Sequence, residues 1–526
     1  MKKNLILFVA LLLYGAFLGS GVALGQRATI GNWTTAGNDA GHSGWQKAET
    51  KISKESAAKE FKFLWKIRLG QATKATHSFT EPLLAPRLIN AHGFKDLVLW
   101  GGTNTVYAVD SELGTLVWKK SFDVPAPKTT GACGARNLSI VLEAPQVINF
   151  GARRAPGAPA APPPPPPPPA APSQRRLGVA AGGGGFGLKG IYVLTSDGYL
   201  HEQVLTTGVD YAPAVKFLPT PNANPDGLNI SGKTVSTMTG RGCGGVQNAL
   251  WSIDLASPDY PVSSYSMQKV SPLGLAGPTI GEGVAYVVTG SGSTDSSAGV
   301  YANSVVSLTE KELKVKDWYT PSGDGKLQNV TPVAFTLKQR KLVVAPGKDG
   351  SFVLLDNESL GGVDHHTPLA QAISVSKTKS GSWNSLASWQ DLSGAAWVLA
   401  SISGPVDKNV KFENTNGPAP HGSIVAFKVE EKNGQLVLTP SWISRDLISP
   451  ASPVIANGVV IALSEGDAKT HAKLYVLDAT TGKELYSSGN AITTYAHLTG
   501  VSVGDGHAFF TTHDNTLYSF GIAIEH

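Results

Sequence analysis

The sequence is short of cysteine, of charge and of long apolar runs, and each shortage removes a class of protein. Only two cysteines occur among 526 residues, Cys133 and Cys243. Two thiols cannot build a disulfide framework or a four-cysteine zinc or iron–sulfur site, and no Cys-x-x-Cys-His pair is present to hold a covalent haem. Charged residues make up 16% of the chain and the formal net charge is +5, of which Lys2 and Lys3 supply two. So weak a balance argues against nucleic acid or an anionic membrane as partner. After residue 25 no apolar run reaches the length of a membrane span. No His-Glu-x-x-His helix occurs, and helical periodicity is nearly absent. The hydrophobic share of 41% is nevertheless ample for a packed core, which excludes global disorder.

Residues 1–25 have the pattern of a secretory signal. Lys2 and Lys3 form its positive end, Leu5 to Phe17 its apolar run, and Ala23-Leu24-Gly25 a small-residue cleavage site. The expectation is an exported protein, periplasmic or extracellular, with no membrane span once the signal is removed. In an oxidising compartment Cys133 and Cys243 could pair, or they could be two buried thiols.

The rest of the chain consists of short runs rich in Val, Ile, Leu, Tyr and Thr, bounded by Gly, Asp, Asn or Pro, which is the pattern of an all-β protein. The runs recur as a unit: a Pro-containing strand, a turn, an apolar strand, a turn with Gly or Asp, a strand ending in Asp, a Thr-Gly-like turn and a last strand. Asp96 to Trp118 and Leu474 to Tyr486 are the clearest copies. Six others are read from their third strands, at Ile191–Leu200, Ala249–Leu255, Ser304–Leu308, Ser351–Asp356, Ser423–Phe427 and Asn515–Phe520. Eight units of four antiparallel strands predict an eight-bladed β-propeller. The last unit stops after three strands, so Phe63–Ile67 is expected to supply its outer strand and close the ring without open sheet edges. The domain organisation expected is therefore a signal over 1–25 and a single propeller over 26–526. A Pro/Gly-rich insertion at about 155–187 interrupts it, with eight consecutive prolines, Pro162 to Pro169. Such a segment extends as a polyproline rod and cannot join a sheet ladder.

The unit ending Ala-x-Asp-x-x-x-Gly-x-x-x-Trp, at Ala108–Trp118, resembles the tryptophan-docking repeat of the pyrroloquinoline quinone (PQQ) β-propeller family. Trp33 to Trp45 is similar to the Trp-x-x-x-Gly-x-Asp opening of the same family. The resemblance implies the quinoprotein alcohol dehydrogenase-like fold, with PQQ and calcium on the ring axis. Val288 to Asp295 looks like the family's Thr-Gly-Asn-Gly segment, which places Ser291 where a calcium-binding Asn is expected. A lone hydroxyl is a poorer ligand for a hard cation than a carbonyl oxygen. Asp317 to Val330 resembles the stretch carrying the catalytic-base Asp, and its nearest carboxylate to that role is Asp324. Ala345 to Asp356 is similar to the Lys-x-Gly segment that contacts the quinone, which assigns Lys348. The aromatic floor expected under the cofactor is replaced in Leu273-Gly-Leu-Ala-Gly-Pro278, and the vicinal cysteine pair is missing.

These residues imply a degenerate quinone site and a binding or assembly platform for a protein partner. The alternative is a PQQ- and calcium-dependent dehydrogenase oxidising a small alcohol or sugar.

Overall fold

The computed structural model describes residues 31–72, 78–90, 93–124, 138–143, 190–219, 225–323, 325–348, 350–375, 383–496 and 500–523. Residues 1–25 and the Pro/Gly-rich insertion lie outside them.

Eight small antiparallel sheets form an eight-bladed β-propeller. In blade 1 the strands are Leu83–Asn90, Gly93–Gly101, Thr105–Asp110 and Leu116–Ser121, hydrogen-bonded in chain order. Blades 2 to 7 follow in chain order, each with its first strand innermost. The first strand of blade 8 is Ser502–Gly504 and its third is Thr516–Gly521. Its fourth strand is Lys62–Arg68, which pairs antiparallel with Thr516–Gly521, so the two ends of the chain close the ring as expected. Seven of the third strands fall where the repeat predicts them. The exception is in blade 2, where Ile191–Leu194 belongs to the second strand, Gly190–Thr195, and the third is Tyr199–Val204. Two apolar runs separated only by Ser196-Asp197-Gly198 read as one strand in the sequence, but the tight turn at Gly198 (φ +87°) folds them into a hairpin.

This strand order gives the ring two unlike ends. Turns joining first to second and third to fourth strands lie at one, here called the hairpin end. Connections joining second to third strands, and those between blades, lie at the other, the loop end.

The rim is held by outer-strand tryptophans docked on the next blade. Trp65, Trp118 and Trp442 donate their indole N–H groups to the carbonyls of Ser111, Leu205 and Ala479, at 3.0, 2.9 and 3.0 Å. Each acceptor lies three residues before a glycine in the left-handed region: Gly114, Gly208 or Gly482. A Cβ on those glycines would stand 2.4–2.6 Å from the indole ring, so the turn accepts the ring only without a side chain. At these three seams the Trp-to-Gly spacing is therefore a packing device, with the Trp of one blade fitted to the glycine of the next.

The axis is held differently. One segment, Trp33 to Gln46, meets the innermost strands of all eight blades in order. Trp33 N donates to Leu84 O (2.9 Å), Leu142 N to Thr34 O (2.8 Å), Ile280 N to Ala40 O (2.7 Å), and Ala334 N to Gly41 O (2.9 Å). Thr35 Oγ1 donates to Leu228 O at 2.9 Å. Ser388 N donates to Ser43 O and Ile455 N to Gly44 O, both at 2.8 Å, and Gln46 Nε2 reaches Val503 O at 3.2 Å. Trp33 is fully buried. Beyond it Glu49 binds Gly506 N through Oε2 (2.9 Å), and a short helix, Lys54–Lys59, leads into the closing strand.

Candidate functional site

Two of the three residues assigned to the quinone site, Ser291 and Lys348, fall on loops of blades 4 and 5. Ser291 follows the second strand of blade 4, Val284–Thr289, and Lys348 follows that of blade 5, Arg340–Pro346. Both are therefore at the loop end, and both are exposed. Asp324 lies outside the described residues. Its neighbours connect the two loops: Asn303 donates to Gly325 O (2.8 Å) and accepts from Leu327 N (2.9 Å). Lys348 N donates to Lys326 O at 2.7 Å. The fold thus brings the Ser291 loop, residues 325–328 and Lys348 to one part of the rim of the axis.

The polar side chains in this region are largely engaged in holding its loops. Asp295 accepts from Ser297 Oγ (2.6 Å) and Ala298 N (3.1 Å), capping a one-turn 3-10 helix. Asn329 accepts Gly274 N (2.8 Å) and Thr331 accepts Ala276 N (3.2 Å), so the segment replacing the aromatic floor is tied to the strand entering blade 5. Calcium takes about six to eight oxygen ligands, carboxylates prominent among them. Among the described residues no group of three or more acidic, histidine or cysteine side chains could hold a metal ion. Ser291 brings one exposed hydroxyl, Asn329 Oδ1 accepts Gly274 N, and Asp295 Oδ1 closes the one-turn helix. Among the described residues this donor set does not fit calcium, and no reaction step is derived through a calcium–quinone pair.

Sequence reasoning passed over a carboxyl at the same end of the axis. Glu81 precedes the first strand of blade 1, and its Oε1 accepts both Trp33 Nε1 (2.6 Å) and Gly37 N (2.8 Å). Burial pushes its pKa up to about 8 against these two hydrogen bonds, which favour the ionised form. Its role is to hold the axial segment. The signal in the sequence was faint: a single Glu before a Pro-containing strand, with no partner visible until the ring is formed.

Three other motifs take structural places. His365 stacks on Trp318 with ring centroids 3.6 Å apart and lies 3.0 Å from Asp317, while His366 Nδ1 sits 2.8 Å from Thr320 O; both belong to a hairpin-end loop of blade 5. Gly227 to Thr234 matches the phosphate-binding pattern Gly-x-x-x-x-Gly-Lys-Thr, but it forms a β-hairpin with Gly232 and Lys233 at its tip. No helix follows, and Lys233 is paired with Glu143, so no phosphate cradle is built. Cys243 is buried and is not a free thiol; Cys133 lies outside the described residues.

Comparison with solved structures places the fold. The quinohemoprotein alcohol dehydrogenase of Comamonas testosteroni matches with a TM-score of 0.54 at 14% identity, over 94% of this chain and 81% of that one. The quinohemoprotein alcohol dehydrogenase ADHIIG of Pseudomonas putida HK5 matches with a TM-score of 0.57 at 12% identity, over the same shares of each chain. This chain shares their propeller fold. No family model matches it, and no curated protein sequence does.

Proposed function

We propose that this protein is an exported, quinoprotein-like propeller whose quinone site is degenerate and which serves as a binding or assembly platform. The supporting observation is the commitment of Asp295, Asn303 and Asn329 to loop structure around Ser291, with no calcium donor set among the described residues. A ring in which the axial polar groups brace loops has its free chemistry on loop surfaces, where partners are bound. The Pro162–Pro169 segment is a candidate contact arm for a protein partner.

A second reading, a PQQ- and calcium-dependent dehydrogenase of alcohols or sugars, is favoured by the shared fold and by Lys348, which is exposed at the loop end and makes no ion pair among the described residues. In it Lys348 would contact the quinone, Asp324 would be the base and Ser291 would stand near the ion. The two readings separate in one experiment: mature protein incubated with PQQ and calcium is assayed for dye reduction with a panel of alcohols and sugars. No turnover above a protein-free control is expected. Turnover lost in Lys348→Ala would establish the dehydrogenase instead.

A further inference from the structure

A second site lies at the opposite end of the axis. The axial segment and blades 4, 5 and 6 enclose a pocket of about 230 Å³ at the hairpin end, distant from the Ser291 and Lys348 loops by the length of the strands. Its aromatic lining is Trp45 from the axial segment, Tyr286 from blade 4, Phe335 from blade 5 and Trp389 from blade 6. Trp45 and Phe335 are half-buried, so part of each ring remains accessible.

The charged groups of the pocket cancel. Lys341 and Glu282 form an ion pair at 2.8 Å, and Thr336 Oγ1 donates to the same carboxylate at 3.2 Å. Asp39 accepts Ser43 N (3.0 Å) and Ser43 Oγ (2.7 Å), while Lys47 Nζ lies 4.9 Å from the centroid of the Trp45 ring. Two carboxylates and two ammonium groups leave no net charge to select an ion. Ser388, on the blade 6 wall, is 2% exposed and its Oγ has no hydrogen-bond partner among the described residues.

We infer that this pocket binds a single neutral, hydroxylated ring, a saccharide unit, between Trp45 and the ion-paired rim of blades 4 and 5. Three features select that chemistry. Aromatic faces match the C–H faces of a sugar ring. Acceptors on Asp39 and Glu282, beside donors on Lys47 and Lys341, match hydroxyls, which both give and take hydrogen bonds. The volume lies below the usual range for drug-sized ligands, roughly 300–1,000 Å³, and so admits one ring or a chain end. The inference does not rest on the platform reading, because the pocket is built at the other end of the ring from different residues.

The test titrates the full mature chain with glucose, galactose and N-acetylglucosamine, with gluconate and glucosamine as anionic and cationic counterparts. Tryptophan fluorescence and ligand-observed NMR report binding. At least one neutral sugar is expected to bind saturably in the millimolar range, and more tightly than either charged counterpart. Trp45→Ala should weaken it at least tenfold. Lys47→Ala, at an exposed side chain, should weaken it about threefold and covers the case in which Trp45→Ala does not fold. The inference is overturned if no neutral sugar saturates, if a charged probe binds more tightly, or if Lys47→Ala leaves the affinity unchanged.

Discussion

The rim and the axis of this ring hold the same blades together by opposite means. At the rim each seam is a private arrangement between two neighbours, and it varies from seam to seam. Trp118 lies against Gly208 between blades 1 and 2, and Trp442 against Gly482 between blades 6 and 7. Between blades 3 and 4 the glycine position is taken by Leu313, held at φ +55°, and the outer strand of blade 3, Val262–Gln268, carries no tryptophan. Between blades 4 and 5 a tryptophan is present, Trp318, but it stacks on His365. At the axis, by contrast, a single stretch from Trp33 to Gln46 serves all eight blades. The rim can therefore lose a docking pair at one seam and keep the ring, whereas the axis has no second copy to fall back on.

That contrast is most severely tested by removing one tryptophan from each region. Trp33→Ala is expected to lower unfolding free energy by about 3–5 kcal/mol in denaturant titration, with faster amide exchange in every blade. Trp118→Ala should cost somewhat less, about 3 kcal/mol, with faster exchange confined to blades 1 and 2. Exchange restricted to blade 1 in the Trp33 variant would break the distinction.

The next effect is in pH. Glu81 has its folded pKa raised to about 8 from the ordinary 4.5, so ionising it opposes folding. Its contribution is intact at acid pH and is lost as pH rises from about 4.5 through 8. Glu81→Gln keeps the Oε1 acceptor for Trp33 and Gly37 without the charge, and should be more stable than the unmodified protein at pH 9 by about 2–4 kcal/mol, with little difference at pH 5. His507 has the opposite sign. Burial lowers its pKa to about 4 from 6.5, so its contribution is present above pH 6.5 and is lost as pH falls towards 4. Denaturant midpoints at pH 5, 7 and 9 check both.

A smaller effect sharpens the rim. Gly208→Ala would set a Cβ 2.5 Å from the Trp118 ring at φ +69°, whereas Gly232→Ala, at φ +58°, meets nothing within 4 Å. The first should cost about 2–3 kcal/mol and the second only about 1 kcal/mol, the backbone strain alone. Equal costs would mean that the glycine serves the turn and not the tryptophan.

The same contrast decides what could be read from the sequence. The rim is periodic, so Ala108–Trp118 announced the repeat, the blade count and the closing strand. Blade 2 misled only where the turn at Gly198 lies between two apolar runs. The axial segment has no period. Its hydrogen bonds pass largely through backbone groups, as at Ala40, Gly41 and Gly44, so residue types carry little trace of them. Ser291 and Lys348 lie at one end of the ring, but the hydrogen bonds of Asp295 and Asn329 to loop amides depend on contacts that no spacing encodes.

The central claim, a quinoprotein-like ring without a working quinone site, is tested most directly by titrating purified mature protein with PQQ, with and without calcium, following quinone absorbance and thermal stability. The account predicts no saturable binding and no calcium-dependent rise in Tm. Tight, calcium-dependent binding accompanied by such a rise would contradict it.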